Sequence, residues 1–154
     1  MDFKTPLSYK LSLNIFRKGV YEKKLGDVFL VTTSRLVYKN AIDDVIRALP
    51  LLPVNVHFAV LGDGPDEDAL KSLADQLAVA DRVHFMGHVD TTDLPKYLQT
   101  SDIFIRASRS EGFGISFPEA MAAGLPVIAT QEGGIADFLF DEKRNPGMPI
   151  TGWA

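Results

Sequence analysis

The sequence predicts an α/β fold, a Rossmann-like parallel sheet with helices on both faces. Three observations predict it. Its 154 residues, 46% hydrophobic and 23% charged, fit one globular domain with a real core. From residue 27 onward, short apolar runs rich in β-branched residues recur. Segments with apolar residues at helical spacing alternate with those runs, which implies right-handed βαβ units.

The elements follow in order. Val28 to Thr33 (VFLVTT) reads as a buried strand. Ala41 to Leu51 places Ile42, Val45, Ile46 and Leu49 on one helical face, ended by Pro50 and Pro53. Val56 to Leu61 is the second strand. Asp66 to Leu77 is a helix whose first turn follows Pro65 and holds acids, which the helix dipole favours. Val83 to Met86 is the third strand, and Thr92 to Gln99 a short helix with Thr91 or Thr92 as cap. Ile103 to Ile105 is the fourth strand. Pro118 to Ala123 is a helix capped by Ser116 and closed by Gly124. Val127 to Thr130 is the fifth strand and Ile135 to Phe140 a short helix. Residues 1–26, with Arg17, Lys18, Lys23 and Lys24, read as a polar lead-in, and 27–154 as the domain.

Several function classes are excluded or disfavoured. No apolar run reaches the ~20 residues that span a bilayer, and residues 1–20 lack a signal-type apolar stretch. Zero cysteines exclude disulfides, thiolate metal sites and a cysteine nucleophile, and fit a cytoplasmic location. A charge of −4, from 16 basic and 20 acidic side chains, disfavours nucleic acid as a partner. His84 and His88 are four apart, but Gly87 stands between them in a β-rich run and no H-E-x-x-H pattern accompanies them. No metal site is expected.

Parallel sheets place ligands at the carboxyl ends of their strands, so the strand-end loops are the ones to inspect. After the first strand, Arg35 and Lys39 are either two cations facing a diphosphate or two solvated charges. After the second, Gly62-Asp63-Gly64-Pro65 resembles the start of a dinucleotide fingerprint, but Glu67 stands where the third glycine belongs. A tight turn explains those glycines as well. Gly87-His88, after the third strand, is a plain turn or a seat for a base. Leu36 and Phe85 read as core.

The strongest segment is Ser108 to Gly124, SRSEGFGISFPEAMAAG. Glu111 stands on a Gly-rich loop, and Gly112, Phe113 and Gly114 offer backbone N–H groups beside it. Glu119 follows eight residues on, at the start of the next helix. Carboxylates accept bonds from hydroxyls, while amides and a helix dipole hold phosphate. The set suits an elongated, hydroxyl-rich anion, with the two acids at its opposite ends. Taken singly, Glu119 could merely complement the helix dipole and Glu111 end a turn.

The run Glu111 to Ala129 (EGFGISFPEAMAAGLPVIA) resembles the E-x7-E signature of group 1, or family 4, retaining glycosyltransferases of the glycogen-synthase-like superfamily. The resemblance extends through Ser34-Arg35-Leu36, Gly62-Asp63-Gly64-Pro65, Val83 to Gly87, Asp102-Ile103-Phe104 and Gly133-Gly134, about residues 27 to 140. It implies one half of a GT-B fold, the C-terminal domain that binds a nucleoside-diphosphate sugar. It further implies that Glu111 and the amides of Gly112, Phe113 and Gly114 hold the hexose, and that Glu119 holds the ribose. Arg35 and a nearby lysine neutralise the diphosphate, Gly87-His88 contacts the base, and no metal or other cofactor takes part. The full reaction moves a hexose to an acceptor hydroxyl with retained configuration.

The chain departs from that pattern. The family often has a lysine five positions after the arginine, followed by glycine; here these are Asn40 and Ala41, and the lysine is Lys39, one position early. No acceptor domain is recognisable, so the chain reads as a fragment that binds donor weakly and transfers little or nothing by itself. The full enzyme would act on an acceptor sugar or lipid-linked sugar, in the cytoplasm or at a membrane. The alternatives are a non-catalytic nucleotide-sugar-binding partner subunit and a sugar-nucleotide epimerase. An oxidoreductase is disfavoured by the missing third glycine.

Overall fold

The computed structural model describes residues 23–110, 114–130, 133–137, 139–140, 143, 145–148 and 150–152. Five strands form one sheet: β1 Val28–Thr33, β2 Val56–Leu61, β3 Val83–Gly87, β4 Ile103–Arg106 and β5 Val127–Ala129. Four helices alternate with them: α1 Ile42–Ala48, α2 Glu67–Gln76, α3 Leu94–Thr100 and α4 Ser116–Ala122. The spatial order is β3-β2-β1-β4-β5, and every described pairing between these strands is parallel. The chain winds outward from β1 to β3, then returns to β4 on the other side of β1. The order therefore reverses between β1 and β4, where such sheets open a crevice at their carboxyl ends.

Alternation along β1 divides the core between two faces. Phe29 and Val31 pack with Phe104, Leu98 of α3, Phe117 and Ala120 of α4, and Leu139. Leu30 packs on the other side with Phe58, Ile42 and Ile46 of α1, and Leu70 of α2. β2 is buried along its whole length. This is the expected helix-covered parallel sheet.

β1 and β2 fall on the residues their apolar runs predict. Helix boundaries move by one to three residues: α1 stops at Ala48, and Leu49–Leu51 continue as a 3-10 turn. α4 begins at Ser116 rather than Pro118, because proline is tolerated in a first turn where its missing N–H costs no bond. α3 begins at Leu94, with Pro95 likewise in its first turn. Asp93 precedes α3, and neither Thr91 nor Thr92 caps it. The expected helix at 135–140 is a 3-10 segment, Gly133–Asp137.

Asp102 shows what one block of the resemblance does for the fold. Its Oδ2 accepts the N–H of Phe29 at 2.6 Å and the Lys23 ammonium at 2.8 Å, which ties the start of β4 to β1.

Candidate functional site

The loops after β1 and β2 interlock. The N–H of Leu36 donates to Asp63 O at 2.8 Å, and the N–H of Asp66 donates to Leu36 O at 3.2 Å. A Cβ on Gly62 would land on the Ser34 carbonyl oxygen, and one on Gly64 on the backbone of Leu36. These glycines thus let two loops touch, the structural use of a glycine where backbones approach closely. Leu36 is fully buried beneath them, as expected, while Phe85 is only partly covered.

The interlocked loops present Arg35 outward. Its carbonyl accepts from Asn40 Nδ2 at 2.6 Å and from the N–H of Val37 at 3.0 Å, and its side chain is exposed. Arg35 lines a crevice of about 350 Å³ together with Thr33, Ser34, Gly62, His88 and Leu94. Three residues chosen from sequence, Arg35, Gly62 and His88, therefore meet in one hollow. Gly64 and Gly87 do not line it. Gly87 accepts the N–H of Gly62 at 2.8 Å and holds the β3 loop against the β2 loop.

Lys39 does not join Arg35. Its side chain is exposed and is not among the residues lining the crevice. The 3-10 turn Tyr38–Asn40 carries it away while burying Asn40.

The group that does reach inward is Arg106, the last residue of β4. Its Nη1 donates to Thr33 O at 3.1 Å and to Ser116 Oγ at 2.8 Å, its Nε to Ser108 Oγ at 3.1 Å, and its Nη2 to Asn40 Oδ1 at 3.3 Å. One guanidinium thereby joins β1, the loop after it, the loop after β4 and the start of α4. Sequence reading passed over Arg106 and treated Asn40 only as a departure. The available signal was a lone arginine closing an otherwise apolar strand.

Ser116, expected as a cap, lies inside α4 and accepts from Arg106 instead. Glu119 stands in the first turn of α4, half-buried, and lines a cleft of about 230 Å³ between α3 and α4. Thr91, Leu94 and Leu98 line that cleft too. The Glu119 cleft and the Arg35 crevice are separate hollows that share Leu94. Gly114 adopts a left-handed backbone (φ 55°) just before α4. Glu111, Gly112 and Phe113 lie outside the described residues.

The histidines separate by environment. The His88 side chain is 76% exposed, with Asp90 at 3.8 Å. His84 is buried against His57, with Nδ1 of His57 3.1 Å from Nε2 of His84. Burial, and then the neighbouring imidazole, push His84 down to about 4; burial also lowers His57. These two belong to the core beside Phe29, away from the strand-end loops. Among the described residues no group of three or more His, Asp or Glu side chains could hold a metal ion, and no helix is long and apolar enough to cross a membrane.

A further hollow of about 300 Å³ between α1 and α2 contains none of the site residues expected from sequence. The chemistry available at the strand ends is therefore that of Arg35, Asp63, His88 and, across Leu94, Glu119. Such a set can take an extended anion with hydroxyl groups along it.

The family model described as glycosyl transferases group 1 matches residues 15–153. The GDP-mannose-dependent alpha-(1-6)-phosphatidylinositol monomannoside mannosyltransferase of Mycobacterium tuberculosis is 41% identical over 133 residues, which cover 80% of this chain and 34% of that one. Among solved structures, HepE of Anabaena in complex with UDP-glucose superposes with a TM-score of 0.75 at 27% identity, over 97% of this chain and 40% of its own. The C-terminal domain of a glycosyl transferase group 1 family protein (LpcC) from Francisella tularensis shares the fold, with a TM-score of 0.67 at 22% identity over 81% of this chain and 69% of its own. The first curated relatives are matched over 36% and 34% of their length, so the chain spans about a third of them. The chain belongs to the glycosyl transferases group 1 family.

Proposed function

We propose that the chain is the donor-binding half of a retaining hexosyltransferase. The observation that carries this reading is the convergence of Arg35, Gly62 and His88 on one crevice that adjoins the Glu119 cleft at Leu94. A nucleoside diphosphate laid over that ridge would set its base by the Gly87-His88 loop and its ribose at Glu119. Its phosphates would lie at Arg35. Glu111 and the amides of Gly112, Phe113 and Gly114 would take the hexose. That a mannosyltransferase relative is named for GDP-mannose, and a structural neighbour holds UDP-glucose, supports a sugar nucleotide as the ligand.

In the reaction, the bond between the anomeric carbon and the β-phosphate oxygen breaks, and its electron pair leaves with the diphosphate. The acceptor oxygen bonds to the same face of the sugar, and its proton passes to the departing phosphate. Arg35 stabilises the leaving charge, and the oriented acids and amides hold the sugar in place. Neither glutamate forms a covalent bond in this scheme, and no metal or other cofactor is called for. The acceptor, a sugar or a lipid-linked sugar, would be held by a partner domain outside residues 27–154, at a membrane where the acceptor is a lipid. The chain alone would bind donor weakly and transfer little.

A thermal-shift panel of UDP, GDP, UDP-glucose and GDP-mannose tests the reading. A ligand at about 100 times its Kd adds roughly 2.7 kcal/mol, enough to raise Tm by several degrees. One base is expected to stabilise the chain, and Glu119→Ala to abolish the shift. No shift from any of the four refutes the reading; equal shifts in both proteins refute the ribose contact.

A further inference from the structure

The Arg35 side chain is exposed and lines the strand-end crevice. Among the described residues its guanidinium has no hydrogen-bond or ion-pair partner. An arginine without a side-chain partner takes its direction from the backbone that carries it. What fixes that backbone is therefore what aims the cation.

Segment 33–36 is held from two sides. Toward β2 it is held through N–H groups: Ser34 donates to Leu61 O at 3.0 Å and Leu36 to Asp63 O at 2.8 Å. Toward β4 no strand is left to pair with, because the β1–β4 ladder covers only Leu30 and Val31. Two side chains stand in for it. Arg106 Nη1 donates to Thr33 O at 3.1 Å, and Asn40 Nδ2 donates to Arg35 O at 2.6 Å. Asn40 Oδ1 in turn accepts from Arg106 Nη2 at 3.3 Å. One guanidinium thus reaches the carbonyls on both sides of Ser34, directly and through one amide.

Arg106 is a firm base for this. It stands opposite Ala129 of β5, its Nε and Nη1 bond Ser108 and Ser116, and its guanidinium lies 5.8 Å from the Phe117 ring centroid. The Arg35 carbonyl has two further donors, the Val37 N–H at 3.0 Å and Ser34 Oγ at 3.2 Å. Both belong to the same turn and move with it, so they shape the turn without placing it. Asn40 is 3% exposed, and its bond to the Arg35 peptide has no water to replace it.

We propose that Asn40 is a positioning residue for the diphosphate end of the donor site, holding the Arg35 peptide and so aiming the Arg35 guanidinium into the crevice. This rests on the donor-binding reading above, in which Arg35 takes the phosphates. Asn40 does not line the crevice and acts only through Arg35.

The test is a double-mutant cycle on binding. Equilibrium Kd values for UDP and for GDP are measured on the 154-residue chain as parent, Asn40→Ala, Arg35→Gln and the double variant. Asn40→Ala exchanges one neutral side chain for another, so it leaves the charge around the ligand unchanged. Whichever nucleotide the parent binds should weaken roughly fivefold in Asn40→Ala, but less than about twofold when the same change is made in Arg35→Gln. Urea unfolding shows that each variant is folded; Asn40→Ser, which keeps a hydroxyl, carries the cycle if Asn40→Ala is not. A merely structural loss weakens binding by the same factor in both backgrounds, and that result overturns the inference. A parent chain whose Kd responds to Arg35→Gln but not to Asn40→Ala overturns this inference alone. An Arg35→Gln variant that binds like the parent removes the phosphate contact at Arg35 and this inference with it. A parent chain that binds neither nucleotide removes the donor-site reading as a whole, this inference included.

Discussion

Asn40 stands between two arginines of the strand-end loops. Its amide nitrogen donates to the Arg35 carbonyl at 2.6 Å, and its amide oxygen accepts from Arg106 Nη2 at 3.3 Å. Asn40 is 3% exposed, so neither bond has water as a substitute. An amide satisfies both neighbours because it is donor and acceptor at once.

Lysine at this position would lose the acceptor and press an ammonium against the Arg106 guanidinium. Asn40→Lys should therefore destabilise the chain by about 2 kcal/mol or more, the cost of an unpaired buried polar group with like-charge repulsion added. Arg106→Met in the same chain should recover part of that loss. Urea unfolding of the two single variants and the double variant checks it; additive losses would show that Asn40 and Arg106 are not coupled.

The strand-end glycines should not behave alike. Gly64→Ala puts a Cβ against the Leu36 backbone, with Leu36 N at 2.6 Å, and backbone cannot rotate aside. A loss of about 2–3 kcal/mol is expected, as for overpacking in a close-fitting core. At Gly87 a Cβ meets nothing within 4 Å, so only the left-handed φ of 68° opposes it. Gly87→Ala should cost about 1 kcal/mol. Denaturation midpoints of both variants measure the contrast.

Acid should weaken the fold through the buried imidazoles. His84 falls from 6.5 to about 4 in the folded chain, and His57 is lowered as well. Between pH 6.5 and pH 4 the unfolded chain binds more protons than the folded one, so stability drops as pH falls through that window. For His84 alone the loss between pH 7 and pH 5 is on the order of 2 kcal/mol. His84→Phe, which keeps a ring next to Phe29, should flatten the dependence. Urea midpoints at the two pH values decide it; an unchanged slope would mean that His84 titrates normally.

α2 ends in a Schellman motif with an alanine where glycine is favoured. Val79 N–H donates to Ala74 O at 2.9 Å, Ala78 N–H donates to Asp75 O at 3.0 Å, and Ala78 sits at φ 53°. Ala78 is exposed, so its methyl group contributes little packing. Ala78→Gly should stabilise the chain by about 0.5–1 kcal/mol, since the left-handed strain disappears at the cost of some chain entropy. A rise in Tm of roughly 2 °C would report it.

The amino-acid pattern by itself determined the layered α/β architecture and the strands at its centre. Burial of both sheet faces leaves a one-dimensional trace: β1 and β2 are apolar runs, and α1 carries Ile42, Val45 and Ile46 on one face. It also located the loops worth inspecting, and Arg35, Gly62 and His88 do share a crevice. Tertiary structure alone decided how neighbouring residues on those loops divide their work. Lys39 turns to solvent while Asn40 turns inward, because a single 3-10 turn rotates successive side chains to different sides. Gly62 and Gly64 serve the contact between two loops, which no local spacing encodes. Arg109 looks like an ordinary surface cation in sequence, and Arg106 stands out only as a lone arginine closing an apolar strand; their partners lie 66 positions away at Asp43 and Asn40. Hydrogen bonds between distant segments depend on where the sheet brings strand ends together, and that placement exists only once the chain has folded.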